Sequence, residues 1–539
     1  MKKIYQVFLS VLSGVLLTVS WPAGGFPLFL LVALVPLLII EYYHFSERKI
    51  NHAFGIFGYA FLSFFIWNLF TTWWIYNSTL VGVIFALLFN TLFLSTIFTL
   101  FHITHRLFSR QWVGYLGLIL YWTAFEFHHL DWDLSWPWLN LGNGFASYPQ
   151  WVQWYEYTGA LGGSLWILLV NICIFLLYRQ WFVQKKCSLL LAGYSLGTLL
   201  LAMVPMIFSV IRYNSYTEVQ KPVNVLVVQP NINPYTEQYD FPPQEITRRL
   251  LQLAATKTDS SVQFIVTPES AIQEYIWENY MNQSKSFDSI RTFLRKFPNT
   301  KMVVGLSSRK VFLPGEPPTH TARKFRDADE YYDAYNTAAL IDTSVGLQTH
   351  HKSKLTPGVE MMPFAKYLTF MESFAIDLGG TVGSLGTDPL QIPFRVGELS
   401  IAPIICYESV YGEYVASFVR NGAELIFVIT NDGWWGNTPG HRQHLTFSSL
   451  RAIETRRSIA RSANTGISAF VNQRGDITQA TPYWTPAVIK QQINANDTIT
   501  FYVRYGDFIG RACYYISGIL LVLVAAFSIT QKRRLKELR

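Results

Sequence analysis

Charged side chains are scarce in this 539-residue chain. Asp, Glu, Lys and Arg make up 14% of it, while half of its residues are hydrophobic. Soluble domains carry about 25% charged residues, so a uniformly water-soluble chain is excluded. Cysteine is scarce as well. The four are Cys173, Cys187, Cys406 and Cys513, and only Cys406 falls between residues 211 and 510. That stretch therefore has no disulfide framework. A lone thiol in an oxidising compartment is a liability unless it is buried or used. Internal repeats and low-complexity stretches are absent.

The apolar residues are concentrated in runs. Ile4–Ser20, Pro27–Tyr43, Ala53–Ile75, Leu80–Phe101, Val113–Phe127, Leu165–Tyr178, Ser188–Val210 and Ala512–Thr530 read as eight membrane spans, since a bilayer core takes about 20 apolar residues per helix. Val113–Phe127 is the weakest, being short and carrying Glu126. The first run resembles a signal peptide after Lys2 and Lys3, but Trp21-Pro22-Ala23-Gly24-Gly25 offers no small-x-small cleavage site. It reads as a retained helix.

A third absence sets orientation. Residues 21–26, 76–79 and 128–164 contain no Lys or Arg, whereas the segments on the other face hold fourteen. Positively charged loops stay cytoplasmic, so both termini are expected inside and residues 211–510 outside. The net +8 of the chain is then a topology signature, and nucleic acid is not among the expected partners. The domain reading is 1–210 as seven spans, 211–510 as an extracytoplasmic domain, and 511–539 as a last span with a basic tail.

Within that domain, Val223–Val228, Val262–Thr267, Met302–Leu306, Ala338–Ile341, Ile401–Cys406, Leu425–Thr430 and Ile467–Val471 are short and rich in Val and Ile. Such runs suit strands buried on both faces. Pro243–Thr256, Phe287–Phe297, Val410–Arg420 and His441–Ser458 read as helices between them, which predicts a layered α/β domain. Three strand ends carry reactive groups: Thr267-Pro268-Glu269-Ser270, His350-His351-Lys352, and Ile404-Ile405-Cys406-Tyr407-Glu408. Each residue alone has a bland reading: Cys406 as core, Glu269 as a helix first turn, Lys352 as a solvated charge. A carboxylate, an ammonium and a thiol converging at strand ends would supply a base, an oxyanion stabiliser and a nucleophile.

The order Glu269…Lys352…Cys406, with Cys406-Tyr407-Glu408 at a strand end, resembles the nitrilase superfamily of carbon–nitrogen hydrolases. Seven spans before that domain and one after it resemble the apolipoprotein N-acyltransferase family. Val228-Gln229-Pro230-Asn231-Ile232, Pro268-Glu269-Ser270-Ala271, Lys352-x-x-Leu355 with Pro357 and Glu360, Asn431-Asp432-Gly433-Trp434-Trp435-Gly436 and Ala463-Asn464-Thr465-Gly466 add to the likeness. The chain departs from the family pattern at Thr267, at Pro357-Gly358-Val359-Glu360, and where Tyr235 or Tyr239 stands in for a tryptophan.

The resemblance implies a four-layer αββα sandwich on a membrane anchor in the bacterial inner membrane, with the domain periplasmic. It implies transfer of an acyl chain from a phospholipid, through a Cys406 thioester, to the amine of a diacylglyceryl-cysteine apolipoprotein. Neither a metal nor another cofactor is expected. Glu269 would be the base and Lys352 the oxyanion partner, supported by Glu360, Tyr407 and Glu408. Tyr239, Met362, Phe364 and Trp434 are candidate substrate contacts. The apolar segment Met361, Met362, Phe364, Tyr367, Phe370, Met371 and Phe374 reads either as core or as a lid at the headgroups. The rivals are a membrane-tethered amidase or nitrilase-type hydrolase, and a non-enzymatic lipid-binding protein. Reporter fusions at Lys49 and Lys186 are expected to score cytoplasmic, and one within 220–500 extracytoplasmic. A cytoplasmic signal from the last would overturn the orientation.

Overall fold

The computed structural model describes residues 1–46, 52–108, 110–185, 189–344, 346–364 and 384–537. The chain forms two compact units, Met1–Ser215 with Tyr505–Arg539, and Tyr216–Arg504.

The first unit is helical: α1 (Lys3–Val19), α2 (Val35–Ser46), α3 (His52–Thr72), α4 (Leu80–Leu107), α5 (Gln111–His128), α6 (Tyr155–Tyr178), α7 (Leu189–Ser215) and, at the far end of the chain, α13 (Phe508–Glu537). Six helical stretches among the described residues are long and apolar enough to cross a membrane: Pro27–Ser46, Phe54–Asn77, Leu80–Leu107, Tyr155–Val183, Leu189–Ser215 and Phe508–Gln531. Two of the eight expected spans are not among them. With 17 residues α1 is short for a bilayer, and α5, of 18 residues, carries Glu126 and His128 at its end. The expected span at Pro27 is also broken, into a 3-10 turn (Pro27–Leu31) and α2. Asn171 of α6 repairs the break. Its side-chain amide donates to the Leu30 carbonyl at 2.7 Å, and its oxygen accepts from the Leu34 N–H at 2.8 Å, so these two backbone groups are paired away from water.

Residues 128–164, expected as a loop, contain three 3-10 turns, of which Pro137–Leu139 and Leu141–Phe145 are buried, and the first turns of α6, which begins at Tyr155. Glu126 anchors them, accepting from the Leu141 N–H at 2.8 Å and from Trp122 Nε1–H at 2.9 Å. The carboxylate that weakens α5 as a span thus holds the turn beside it.

The second unit is built on two sheets. The first, of eight strands, runs β14 (Ala487–Asn494), β1 (Pro222–Gln229), β2 (Phe264–Val266), β4 (Lys301–Val311), β6 (Tyr331–Ile341), β5 (Arg323–Lys324), with β3 (Ile272–Trp277) on β4 and β7 (Gln348–His351) on β6. The second, of six, runs β13 (Ile477–Thr478), β12 (Ala469–Val471), β11 (Ser458–Ala463), β10 (Leu425–Thr430), β9 (Leu399–Ile405), β8 (Phe394–Val396). Their central members, β1–β2–β4 and β9–β10–β11, are parallel. This is why β1, β2, β9 and β10 read as runs rich in Val and Ile.

Val225, Val227 and Phe264 of the first sheet share one core with Ile401, Ile405, Phe427 and Ile429 of the second. Phe264 and Phe427 meet edge to face at 5.4 Å. On the outer side of the first sheet, α8 (Pro243–Ala255) packs Ile246, Leu250 and Ala254, four residues apart on one helical stripe, beside Ile290 and Leu294 of α9 (Lys285–Leu294). The second sheet is covered by α10 (Gly412–Arg420) and α11 (Pro439–Thr455). The layers are helix, sheet, sheet, helix, and α12 (Phe501–Tyr505) spans the boundary between the units.

One local expectation fails. The helix expected over His441–Ser458 ends at Thr455, because Arg456 adopts a left-handed φ of 51°. Ser458 already begins β11, a central strand hidden by its polar sequence Ser-Ile-Ala-Arg-Ser-Ala. Phe427→Ala is expected to lower the unfolding free energy of the α/β unit by about 3–5 kcal/mol, read from denaturant titration of the purified chain. An unchanged midpoint would contradict the face-to-face core.

Candidate active site

The reactive side chains collect where strands of both sheets end. β2 runs through Thr267 and Pro268 into Glu269, while β4 passes directly behind. Any Cβ on Gly305 would lie 2.6 Å from Glu269 Cα, so only glycine permits that approach. Lys352 follows β7. Cys406 follows β9 at a sharp corner with a left-handed φ of 48°, a conformation that non-glycine residues seldom adopt.

Glu269, Lys352 and Cys406 are 6%, 2% and 8% exposed, so their charges are barely screened by water. Lys352 Nζ donates to Glu269 Oε1 at 3.0 Å and to Glu360 Oε1 at 2.8 Å. Asn336, in β6, bridges the same two oxygens at 2.7 and 3.1 Å. The remaining Glu269 oxygen accepts from the Asn431 N–H at 3.0 Å, and that of Glu360 from the Thr356 N–H at 2.9 Å. Burial opposes the lysine's charge, but Glu269 and Glu360 outweigh it and hold Lys352 well above the ordinary lysine range. For Glu360 burial is likewise outweighed, here by Lys352, which lowers its carboxyl. The Cys406 thiol moves the other way. Burial raises it strongly, the nearby Glu269 charge adds to this, and Lys352 only partly opposes them. At neutral pH Cys406 is a thiol.

A second network fixes the corner itself. His444 of α11 places Nε2 3.1 Å from the Cys406 carbonyl oxygen, and Ser409 Oγ donates to that carbonyl at 2.7 Å. His444 Nδ1 lies 2.9 Å from Asp432 Oδ1, and Arg461 of β11 donates to Asp432 Oδ2 at 2.7 Å. Cys406, Asp432 and His444 bring a sulfur, an oxygen and a nitrogen within 4.8 Å of one another, a spacing that would also suit a metal. Asp432 is, however, already neutralised by Arg461. Burial would raise its carboxyl, and Arg461 followed by His444 hold it well below the usual range.

The structure thus brings Glu269, Lys352 and Glu360 into direct contact. Glu408 is fully buried and serves the backbone, accepting from the N–H groups of Ile405 and Ser353, both at 2.7 Å. The Tyr407 ring meets Tyr411 edge to face at 5.2 Å. Trp434 is half-buried and packs against Tyr235 at 5.2 Å, while Tyr239 and Phe364 are exposed. Met362 donates its N–H to Ser384 Oγ at 3.1 Å. Met361 packs on the small cluster of Ala334, Leu355 and Leu385. Tyr367, Phe370, Met371 and Phe374 lie outside the described residues. Sequence reasoning missed Asn336, His444 and Arg461. Asn336 did leave a signal, as a lone amide inside the apolar strand Ala334–Ile341.

Residues 13–173 match the apolipoprotein N-acyltransferase N-terminal domain, and residues 224–502 match the carbon–nitrogen hydrolase family. The chain is similar to the apolipoprotein N-acyltransferase of Chlorobaculum tepidum, 30% identical over 536 residues, covering 96% of each chain. It is also similar to that of Geobacter metallireducens, 26% identical over 96% of this chain and 95% of that one. Among solved structures, an amidase from Nesterenkonia sp. aligns with 55% of this chain and 99% of its own, at 16% identity and a TM-score of 0.36.

Asp432→Asn would leave Arg461 buried without a counter-charge, at a cost of about 3–5 kcal/mol. Because the Asp432 carboxyl is depressed, its stabilisation is present above the ordinary carboxylate range and is lost only as pH falls far below it. The difference in Tm between wild type and variant should therefore stay constant from roughly pH 8 down to pH 5. A difference that vanished within that window would refute the assignment.

Proposed function

The chain belongs to the apolipoprotein N-acyltransferase family, and we propose that Cys406 carries the acyl group as a thioester between a phospholipid and a lipoprotein amine. The enzyme is an acyltransferase of lipoprotein maturation. The observation that carries the site assignment is the buried Lys352, gripped by Glu269 and Glu360, with its charge and that of Glu269 both acting on the Cys406 thiol.

The order of events follows from that electrostatics. Cys406 rests protonated, so Glu269 takes its proton as the sulfur attacks the ester carbonyl of the phospholipid. The tetrahedral oxyanion forms beside Lys352, where one donor is worth about 3–4 kcal/mol of barrier; the Tyr407 N–H is a second candidate. Collapse breaks the C–O bond, the alkoxide recovers the proton from Glu269, and lysophospholipid departs. The α-amine of a diacylglyceryl-cysteine, once its ammonium proton has passed to solvent, attacks the thioester; Glu269 accepts the remaining amine proton, and the released sulfur takes it back. Glu360 and Asn336 keep the lysine and the base in register. Tyr239, Met362, Phe364 and Trp434 are assigned to the acyl and peptide path.

The loop charges support placing both termini in the cytoplasm and the α/β unit on the periplasmic side of the inner membrane, where both lipidic substrates reach it. The amidase reading is weaker, because a soluble amide needs no membrane anchor.

Wild-type protein given labelled phospholipid alone should release one equivalent of lysophospholipid and then stall, keeping label that hydroxylamine removes. A diacylglyceryl peptide with a free amine should restart turnover, and its N-acetylated form should not. Cys406→Ala should hold no label, and Glu269→Gln should stop both half-reactions. Normal turnover in Cys406→Ala would end the covalent mechanism, and ammonia release from a small amide without lipid activity would favour the hydrolase.

A further inference from the structure

The chemistry above leaves unused the two histidines that immediately precede Lys352. His351 has a carboxylate at each ring nitrogen, with Asp388 Oδ1 2.7 Å from Nδ1 and Glu278 Oε1 2.7 Å from Nε2. A neutral imidazole has one N–H and one acceptor, and an ionised carboxylate only accepts. Facing two acceptors, the ring must carry both protons. Tyr335 of β6 stacks on it at 3.9 Å. His350, 1% exposed, also lies between two carboxylates, at longer distances. Its Nε2 lies 3.3 Å from both oxygens of Glu408, and its Nδ1 3.6 Å from Asp388 Oδ2. From α10, the Tyr414 hydroxyl lies 3.4 Å from Nε2, and the Phe418 ring packs edge to face.

The carboxylates that bind these rings also hold the reactive backbone. Asp388 Oδ2 accepts the His351 N–H at 2.8 Å, and Glu408 Oε1 accepts the Ser353 N–H at 2.7 Å. Between them, the Lys352 N–H donates to the Asn336 carbonyl at 2.8 Å. The other Glu408 oxygen takes the N–H of Ile405, the residue before the nucleophile. Two acids therefore brace the backbone on both sides of the lysine and ahead of the thiol, and two imidazolium rings brace the acids.

We propose that His350 and His351 are positioning residues, a doubly charged pair that holds Asp388 and Glu408 where these fix Lys352 and Cys406. The pair acts through backbone placement and touches no substrate; its effect on turnover rests on the acyl-transfer reading. For both rings burial opposes the charge. The surrounding carboxylates, Glu408 and Asp388 for His350 and Asp388 and Glu278 for His351, outweigh it and push each up to about 9 from the ordinary 6.5. A raised histidine contributes fully below its unfolded value and loses its contribution as pH climbs through the folded one. The bracing should weaken between 6.5 and about 9.

The test uses the full chain in detergent with ring-labelled histidine, following imidazole titration by NMR and turnover of phospholipid with diacylglyceryl peptide from roughly pH 6 to 10. His351→Gln identifies the His351 signal by its loss and should cut kcat about ten-fold or more, with KM for the peptide unchanged. Glu278→Gln is isosteric and keeps an acceptor but removes one charge. It should lower the His351 midpoint by about one unit or more, and the alkaline limb of kcat should move with it. The double variant should lose less activity than the sum of the two single losses. Should His351→Gln fail to fold, Glu278→Gln alone decides. A His351 that titrates near its ordinary value, or an alkaline limb unmoved in Glu278→Gln, overturns the proposal. A high midpoint that shifts as expected in a protein forming no thioester would instead count against the acyl-transfer reading and leave the charged pair standing.

Discussion

The Lys352 ammonium between Glu269 and Glu360 is the contact on which the rest of the site depends. A buried charge of this kind persists only if its partners are in place, since a lone ammonium in a dry interior costs several kcal/mol. Its two ligands come from separate pieces of chain, the end of β2 and the turn after β7, and Asn336 in β6 bridges them. All of these elements belong to the first sheet or follow it. Cys406 and Asn431 belong to the second, so Glu269 and Cys406 sit on opposite leaves of the sandwich. Their separation is set by the core between the leaves, where Phe264 and Phe427 meet.

The end of β10 joins the two leaves. The Asn431 N–H holds an oxygen of Glu269, while the next residue, Asp432, holds His444 and through it the carbonyl of Cys406. One peptide step thus ties Glu269 to the Cys406 carbonyl. Side chains fixed from the ends of strands are held more precisely than side chains on independent loops.

Much of this was legible in the sequence, for particular reasons. The strands β1, β2, β9 and β10 announce themselves as Val/Ile runs because parallel strands are buried on both faces, and Glu269 and Cys406 stand where those runs stop. Other parts were hidden because tertiary context decides them. β11 carries Arg461, which is tolerated in the core only because Asp432 neutralises it, and no local pattern reveals a partner 29 residues away. β7 is Gln-Thr-His-His, polar throughout because its histidines are paired with acids from elsewhere. The membrane unit shows the same limit. Hydropathy locates the long helices, but the break before α2 depends on the amide of Asn171 in a distant helix.

Glu269, Lys352 and Glu360 carry two negative charges and one positive, so the cluster as a whole is anionic. An amine that arrives protonated finds a favourable field before it finds a base. On the proposed thioester route, a free fatty acid, the waste product if water reached Cys406, would bring a second uncompensated carboxylate into the same buried space and be repelled. On that route the charge that attracts the acceptor would also expel the product of the side reaction.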